Sequence, residues 1–161
     1  MSPAAGGAGT PGTIVAVNTS PKKGQIKRPV ASVEITAGRG IEGDAHRDFG
    51  RRQVSLLAIE DIEAQKALAG AAAGAAGIEI GPGAFAENLT TRGLDLAALR
   101  VGDELVVAGT VRLRVSQIGK DCHTKCAVYR LIGDCIMPAR GIFCEVLSGG
   151  TVRAGDAIER A

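Results

Sequence analysis

Apolar residues along the chain alternate with polar ones or run in short blocks closed by glycine, a pattern of strands rather than of long helices. Thr13–Val17, Ser32–Thr36, Gln53–Leu57 and Glu104–Ala108 all read this way. The alternation is sharpest at Val111–Ser116, where Val111, Leu113 and Val115 fall on one face and Arg112, Arg114 and Ser116 on the other. Val106–Ser116 therefore predicts a hairpin turning at Ala108-Gly109-Thr110, and Ile142–Leu147 with Thr151–Ile158 predicts a closing pair around Ser148-Gly149-Gly150. Helical spacing is rarer. Ile59, Ile62 and Leu68 mark Ala58–Leu68 as a helix, and a second short helix is expected at Cys122–Leu131 with Asp121 as its N-cap. Many short strands with few helices predict a mainly β fold of the α+β kind, barrel-like, with a sandwich as the alternative.

Two stretches carry little side chain to bury. Met1–Gly12 is rich in Gly, Ala and Pro and is expected to be a disordered arm, leaving residues 13–161 as a single domain. Ala69–Gly77 (AGAAAGAAG) is expected to be a surface loop ahead of the strand-like Ile78-Glu79-Ile80.

At 161 residues and 45% hydrophobic, the chain can bury a core without disulfides or metals. Nineteen Lys and Arg against 17 Asp and Glu leave a formal charge of +2, and three Phe, one Tyr and no Trp supply no stacking platform, which argues against a nucleic-acid partner. No apolar run approaches the roughly 20 residues that cross a bilayer, so no membrane association is expected. The N-terminus lacks the charged-then-apolar order of a secretory signal, and the expected location is cytoplasmic. Four cysteines in a reducing compartment read as thiols rather than disulfides.

The densest reactive cluster is Gly119-Lys120-Asp121-Cys122-His123-Thr124-Lys125-Cys126, directly after a strand. In a helix opened by Cys122, Cys122 and Cys126 share a face, and the helix dipole favours a thiolate at Cys122. Lys120, His123 and Lys125 add positive potential that lowers a thiol from its free value of about 8.5, while Asp121 opposes them. Such a thiolate can carry sulfur as a persulfide, attack an electrophile or ligate a soft metal. The alternatives are packing at a helix start and a zinc site drawn from Cys122, Cys126 and His123 or the more distant Cys135 and His46. Cys144 has apolar neighbours and reads as a core residue.

A second constellation, Gly40-Ile41-Glu42-Gly43-Asp44-Ala45-His46 followed by Arg47, Arg51, Arg52 and Gln53, suits a phosphate, because glycine lets amides approach an anion and Arg grips it bidentately. A solvated loop of mutually paired charges is the plainer reading, with His46 a structural histidine. Asn88, in Glu87-Asn88, can bond a heterocycle edge or cap a turn. No GxGxxG, Walker, GxSxG or HExxH pattern is present.

In order along the chain, Gly43-Asp44-Ala45-His46, Arg52-Gln53-Val54-Ser55-Leu56-Leu57, Glu87-Asn88-Leu89, Val101-Gly102-Asp103, the segment Gly119–Cys126 and Gly155-Asp156 resemble the MOSC domain, named for the C-terminal part of molybdenum-cofactor sulfurases. The resemblance spans about residues 12 to 160 and is nearest to the small single-domain bacterial members. It implies a MOSC-like β-barrel, binding of the pterin-based molybdenum cofactor (molybdopterin), and a cysteine that ligates molybdenum or carries sulfur to it. Cys126, followed by the apolar Ala127-Val128, is preferred to Cys122 for that role, with Lys120, His123 and Lys125 tuning the thiol. Asp44, His46, Arg51, Arg52, Gln53, Asn88 and Lys120 would hold the pterin and its phosphate. The partners implied are the small-molecule cofactor and the molybdenum enzymes or cofactor-synthesis proteins that exchange it. Enzymes similar by domain reduce N-hydroxylated compounds, so a molybdenum reductase is one alternative function. A non-catalytic, zinc-stabilised adaptor is the other.

Overall fold

The computed structural model describes residues 11–22, 26–45, 47, 48, 50, 52–75, 80–119 and 141–161, the side chains of 68–75 excepted. Eleven strands appear among the described residues: β1 (Gly12–Thr19), β2 (Arg28–Val30), β3 (Ser32–Thr36), β4 (Gly40–Ile41), β5 (Val54–Ala58), β6 (Leu89–Arg92), β7 (Glu104–Val107), β8 (Val111–Ile118), β9 (Ile142–Ser148), β10 (Gly150–Arg153) and β11 (Ala157–Arg160). Among the same described residues lie the α-helix α1 (Ile59–Ala75) and a 3-10 turn at Leu96–Ala98.

Seven of these strands run β1-β11-β7-β8-β9-β5-β6 and return to β1, so the sheet closes into a barrel. The mainly β, barrel-like expectation holds, and the sandwich alternative does not. Closure removes the sheet edges that would otherwise expose unpaired amides. Every pairing in the ring is antiparallel except β5 with β6, which α1 links as a crossover. A two-residue-period strand presents one face inward, and Val54, Leu56, Leu105, Val107, Leu113, Val115, Ile142 and Cys144 fill the interior. In β1 the register shifts between Ile14 and Ala16, a bulge that lets Ile14 and Val17, of opposite parity, both point inward. A small sheet, β10-β3-β4, packs Val33, Ile35, Ile41 and Val152 against the same interior.

β5 is buried at all five positions because a second apolar layer covers its outer face. Leu57 and Phe143 on the barrel exterior meet Ile59 and Ile62 of α1 and Ile80, Ala84 and Phe85 of the following loop. Glu60 and Asp61 lie in the first turn of α1, where the helix dipole favours acids. Glu60 also accepts the Gly93 N–H at 2.9 Å, fastening the helix start to the end of β6.

Several expectations need correction. Ala58 closes β5 rather than opening the helix, and α1 continues through Ala75, across the stretch expected to be a loop. Alanine is the best intrinsic helix former, and its run outweighs the roughly 1 kcal/mol penalty of each glycine. Ile80 is buried but belongs to no strand; Ile78 and Glu79 lie outside the described residues. The segment expected to be one strand over Thr151–Ile158 is two, β10 and β11. Gly155 at φ +96° turns the chain, and Asp156 Oδ2 accepts the Arg153 N–H at 2.8 Å. The closing pair with β9 therefore does not form, since β10 joins β3 and β11 joins β1 and β7. β1 begins at Gly12, one residue before the expected domain boundary. The helix expected at Cys122–Leu131 lies outside the described residues. Among the described residues no helix is long and apolar enough to cross a membrane.

Leu56 is fully buried in the barrel, whereas Val101 is 64% exposed. Leu56→Ala should lower the free energy of unfolding by about 3 kcal/mol, and Val101→Ala should change it by less than about 0.5 kcal/mol. Urea denaturation of the two variants checks this, and equal losses would contradict the barrel interior.

Candidate functional site

The cysteine-bearing stretch is rooted at one point of the barrel. β8 and β9 pair as far as Ile118 opposite Ile142, and the Gly119 N–H then donates to the Gly141 carbonyl at 2.7 Å. Residues 120–140 thus leave and re-enter between two neighbouring glycines. Lys120, Cys122, His123, Lys125, Cys126 and Cys135 lie outside the described residues, as do His46 and Arg51. The root itself is well held. Gln117 Nε2 donates to the Gly119 carbonyl at 2.8 Å, and Ser116 Oγ donates to the Phe143 carbonyl at 3.1 Å. Phe143, two residues after Gly141, turns its ring to the barrel exterior, and the Arg52 guanidinium sits 5.8 Å from the ring centroid, within cation–π range. Arg52 is thereby set beside the root of the cysteine segment.

A seam of buried polar groups runs across the exterior of β5, β6 and β1 from this point. Ser55 lies opposite Phe143. Asn88 Oδ1 accepts the Ser55 N–H at 3.0 Å and its hydroxyl at 3.2 Å, and Asn88 Nδ2 donates to the Asn18 carbonyl at 3.2 Å. Asn18 reciprocates through Nδ2, which donates to Thr90 Oγ1 at 3.0 Å and to the Glu87 carbonyl at 3.2 Å. Glu87, fully buried, accepts the Gly83 N–H at 2.8 Å, the Phe85 N–H at 3.3 Å and the Thr90 hydroxyl at 2.7 Å. Burial pushes the Glu87 carboxyl above its usual range, and those three donors oppose the shift. Glu87 and Asn88 thus tie the loop ahead of β6 to two neighbouring strands, and the Asn88 side chain faces the protein's own chain.

Beyond the end of β1, Asp44 accepts the Ser20 N–H at 3.1 Å and pairs with Lys27 Nζ at 2.7 Å, both charged side chains wholly buried. A buried ammonium and carboxylate tolerate loss of water only as a close, hydrogen-bonded pair. Gln53 is likewise used internally: Nε2 donates to the Gly50 carbonyl and Oε1 accepts the Val146 N–H, each at 3.0 Å. The residues expected to hold an anion therefore divide. Asp44, Gln53 and Asn88 are buried and bonded to the chain, and Arg52 lies part-exposed beside the root. Cys144 is fully buried in the barrel, and burial pushes its thiol well above the ordinary range, so it is inert. Among the described residues no group of three or more His, Cys, Asp or Glu is placed to hold a metal ion; the residues named for zinc all lie outside them.

Sequence reasoning missed Lys27 and Asn18. Lys27 stands among Lys22, Lys23 and Arg28, which marks it as one more surface cation, and only the fold separates it from them. Asn18 had a usable signal, since β1 runs on past Val17 and a polar residue there sits on a strand covered on both faces.

With this geometry established, a family model for the MOSC domain matches residues 34–159. The structure is similar to that of the YuaD protein from Bacillus subtilis, at 21% identity and a TM-score of 0.72, over 94% of this chain and 96% of that one. It is also similar to YiiM from Geobacillus stearothermophilus, at 22% identity and a TM-score of 0.65, over 93% and 75% of the two chains. For YiiM from Escherichia coli the values are 21%, 0.66, 93% and 69%. These likenesses concern the fold. No curated protein matches the chain.

Two predictions follow from the buried charges. Lys27→Met or Asp44→Asn alone should cost about 3–5 kcal/mol by stranding the other partner. In the double variant the second change should cost at least about 1 kcal/mol less than it does alone; additive losses in urea denaturation would show that the pair is not coupled. For Glu87, a folded value raised above the ordinary 4.5 means that its contribution to stability is complete below that value and is lost as pH rises through the raised one. Glu87→Gln should therefore gain on the wild type as pH increases from about 4 to 8. A constant difference, or a drift the other way, would show that the amide donors and not burial govern this carboxyl.

Proposed function

The chain belongs to the MOSC domain family, and from that premise we propose that it binds the molybdenum cofactor and transfers sulfur or the cofactor itself through a cysteine of the segment between β8 and β9. One observation carries the reading. The only Cys-His-Lys cluster of the sequence is rooted between Gly119 and Gly141, next to the Arg52 guanidinium on Phe143, while the fourth cysteine, Cys144, is sealed in the barrel.

The described residues fit such a group in part. The cofactor carries a phosphate, for which Arg52 offers a planar donor fork, and soft metals prefer thiolate sulfur, for which Cys122 and Cys126 are the candidates. When bound, the cofactor would supply redox-active molybdenum and its sulfur ligands. The chain supplies the rest. Arg52 holds the anionic end against the barrel wall, with Phe143 keeping the guanidinium in place. Lys120, His123 and Lys125 favour the thiolate of Cys126, with Cys122 as the second candidate. As a sulfur carrier, that thiolate attacks the terminal sulfur of a donor persulfide, forming the new S–S bond and releasing the donor as a thiolate that takes up a proton. Asp44, Gln53 and Asn88 act from beneath, fixing the strands on which Arg52 and Phe143 stand.

The test is native mass spectrometry with metal analysis on protein purified without oxygen from cells supplied with molybdate. The wild type should carry either a molybdenum pterin or one added sulfur on the peptide holding Cys122 and Cys126. Cys126→Ser should lose that increment while its melting temperature stays unchanged, and Arg52→Gln should reduce pterin loading about tenfold, the effect of losing one charge-assisted contact. Full loading in Cys126→Ser with loss in Cys122→Ser would move the role to Cys122. A wild type carrying zinc alone, or nothing, from a host shown to make the cofactor would overturn the proposal.

A further inference from the structure

A second site lies away from the root of the cysteine segment, between β2 and the turn at residues 80–84. An open cleft of roughly 250 Å³ separates them. Its walls are Ile26 and Pro29 on one side and Pro82 and Ala84 on the other, with Gly81 at the lining and Arg28 beside Pro29. None of these residues belongs to the Arg52 and Phe143 site.

The cleft is built in advance of any ligand. The Lys27 N–H donates to the Gly83 carbonyl at 2.9 Å, joining the two walls by a backbone bond. Gly83 holds a positive φ of +86°, and a Cβ there would collide with the Lys27 carbonyl, so the chains touch at this point. Glu87 grips the amides of Gly83 and Phe85 from behind, and the buried pair with Asp44 anchors the Lys27 side chain. Two prolines further restrict the backbone of the walls. A cleft with both walls fixed loses little entropy on binding.

Its chemistry is equally defined. Four apolar side chains line it, and Arg28, exposed on β2, makes no ion pair among the described residues. A Cβ placed on Gly81 meets nothing within 4 Å, so the space over that residue is open. The volume is below the range typical of drug-sized ligands. We infer that this cleft binds a small monocarboxylate with a compact apolar body, the body lying between Ile26, Pro29, Pro82 and Ala84 and the carboxylate bridging to the Arg28 guanidinium. The site is independent of the cysteine chemistry proposed above and stands or falls without it.

The probe is benzoate, with benzyl alcohol as its uncharged counterpart, followed by the amide and methyl NMR shifts of Ile26, Gly81 and Ala84. Benzoate should give saturable shifts confined to the cleft and bind about three- to fivefold more tightly than benzyl alcohol, as one part-exposed charge pair allows. Arg28→Gln should remove that preference and leave benzyl alcohol unaffected. Gly81→Leu, whose side chain enters the open space, should abolish both responses with an unchanged melting temperature. Shifts that never saturate, that persist in Gly81→Leu, or that favour benzoate equally in Arg28→Gln would overturn the proposal. Arg28 is exposed, so its variant keeps the test decisive should Gly81→Leu fail to fold.

Discussion

The parallel pairing of β5 with β6 is the join on which the remaining architecture depends. Antiparallel neighbours can be closed by a short turn, but a parallel pair requires the chain to leave the sheet and return at the same end. Here it leaves through α1 and comes back through the loop ahead of Leu89. That return is fixed by polar groups rather than by apolar contact alone. Asn88 bonds Ser55 on one side and Asn18 on the other, and Glu87 gathers the amides of Gly83 and Phe85 with the Thr90 hydroxyl. Buried groups with so many directed bonds admit one register, whereas an apolar seam would tolerate slippage.

The consequences reach both ends of the seam. At one end, Ser55 faces Phe143, whose ring carries Arg52 and whose strand begins just after Gly141. At the other, Gly83 meets the backbone of Lys27, and Lys27 reaches Asp44. The root of the cysteine segment and the cleft beside β2 are thus held by one continuous set of bonds across the barrel exterior. Loops carry chemistry well when the scaffold beneath them is rigid, and the directed bonds of Asn88, Asn18 Nδ2 and Glu87 hold this one, although Asn18 Oδ1 is buried without a hydrogen-bond partner.

Much of this was legible in the alternation of the strands. The strands from Glu104 to Ser116 were placed within about two residues, because each has one wet face and one dry face. The features that escaped are those where the pattern is set by distant partners. β2 has three exposed residues and no alternation to read. β10 and β11 looked like one strand because the turn between them depends on Gly155 and Asp156, whose role emerges only when each flank finds a different sheet. The alanine run after Leu68 lacked periodicity, and intrinsic propensity extended the helix where patterning was silent. For the site, residue type alone picked out Asp44, Gln53 and Asn88 as polar groups of consequence. It could not say that their bonds turn inward, since that depends on Lys27, Val146 and Asn18, far away in sequence.

The four cysteines fall in two parts of the chain, one in the barrel and three between β8 and β9. Cys144 sits fully buried among apolar residues on the inner face of β9, so its thiol behaves as a small apolar group. Cys122 and Cys126 share a stretch of sequence with Lys120, His123 and Lys125. β8 and β9 are joined in sequence by residues 120–140, on either side of which Gly119 bonds Gly141. Three of the four cysteines of the chain, Cys122, Cys126 and Cys135, lie in that stretch of the sequence, and only Cys144 belongs to the barrel.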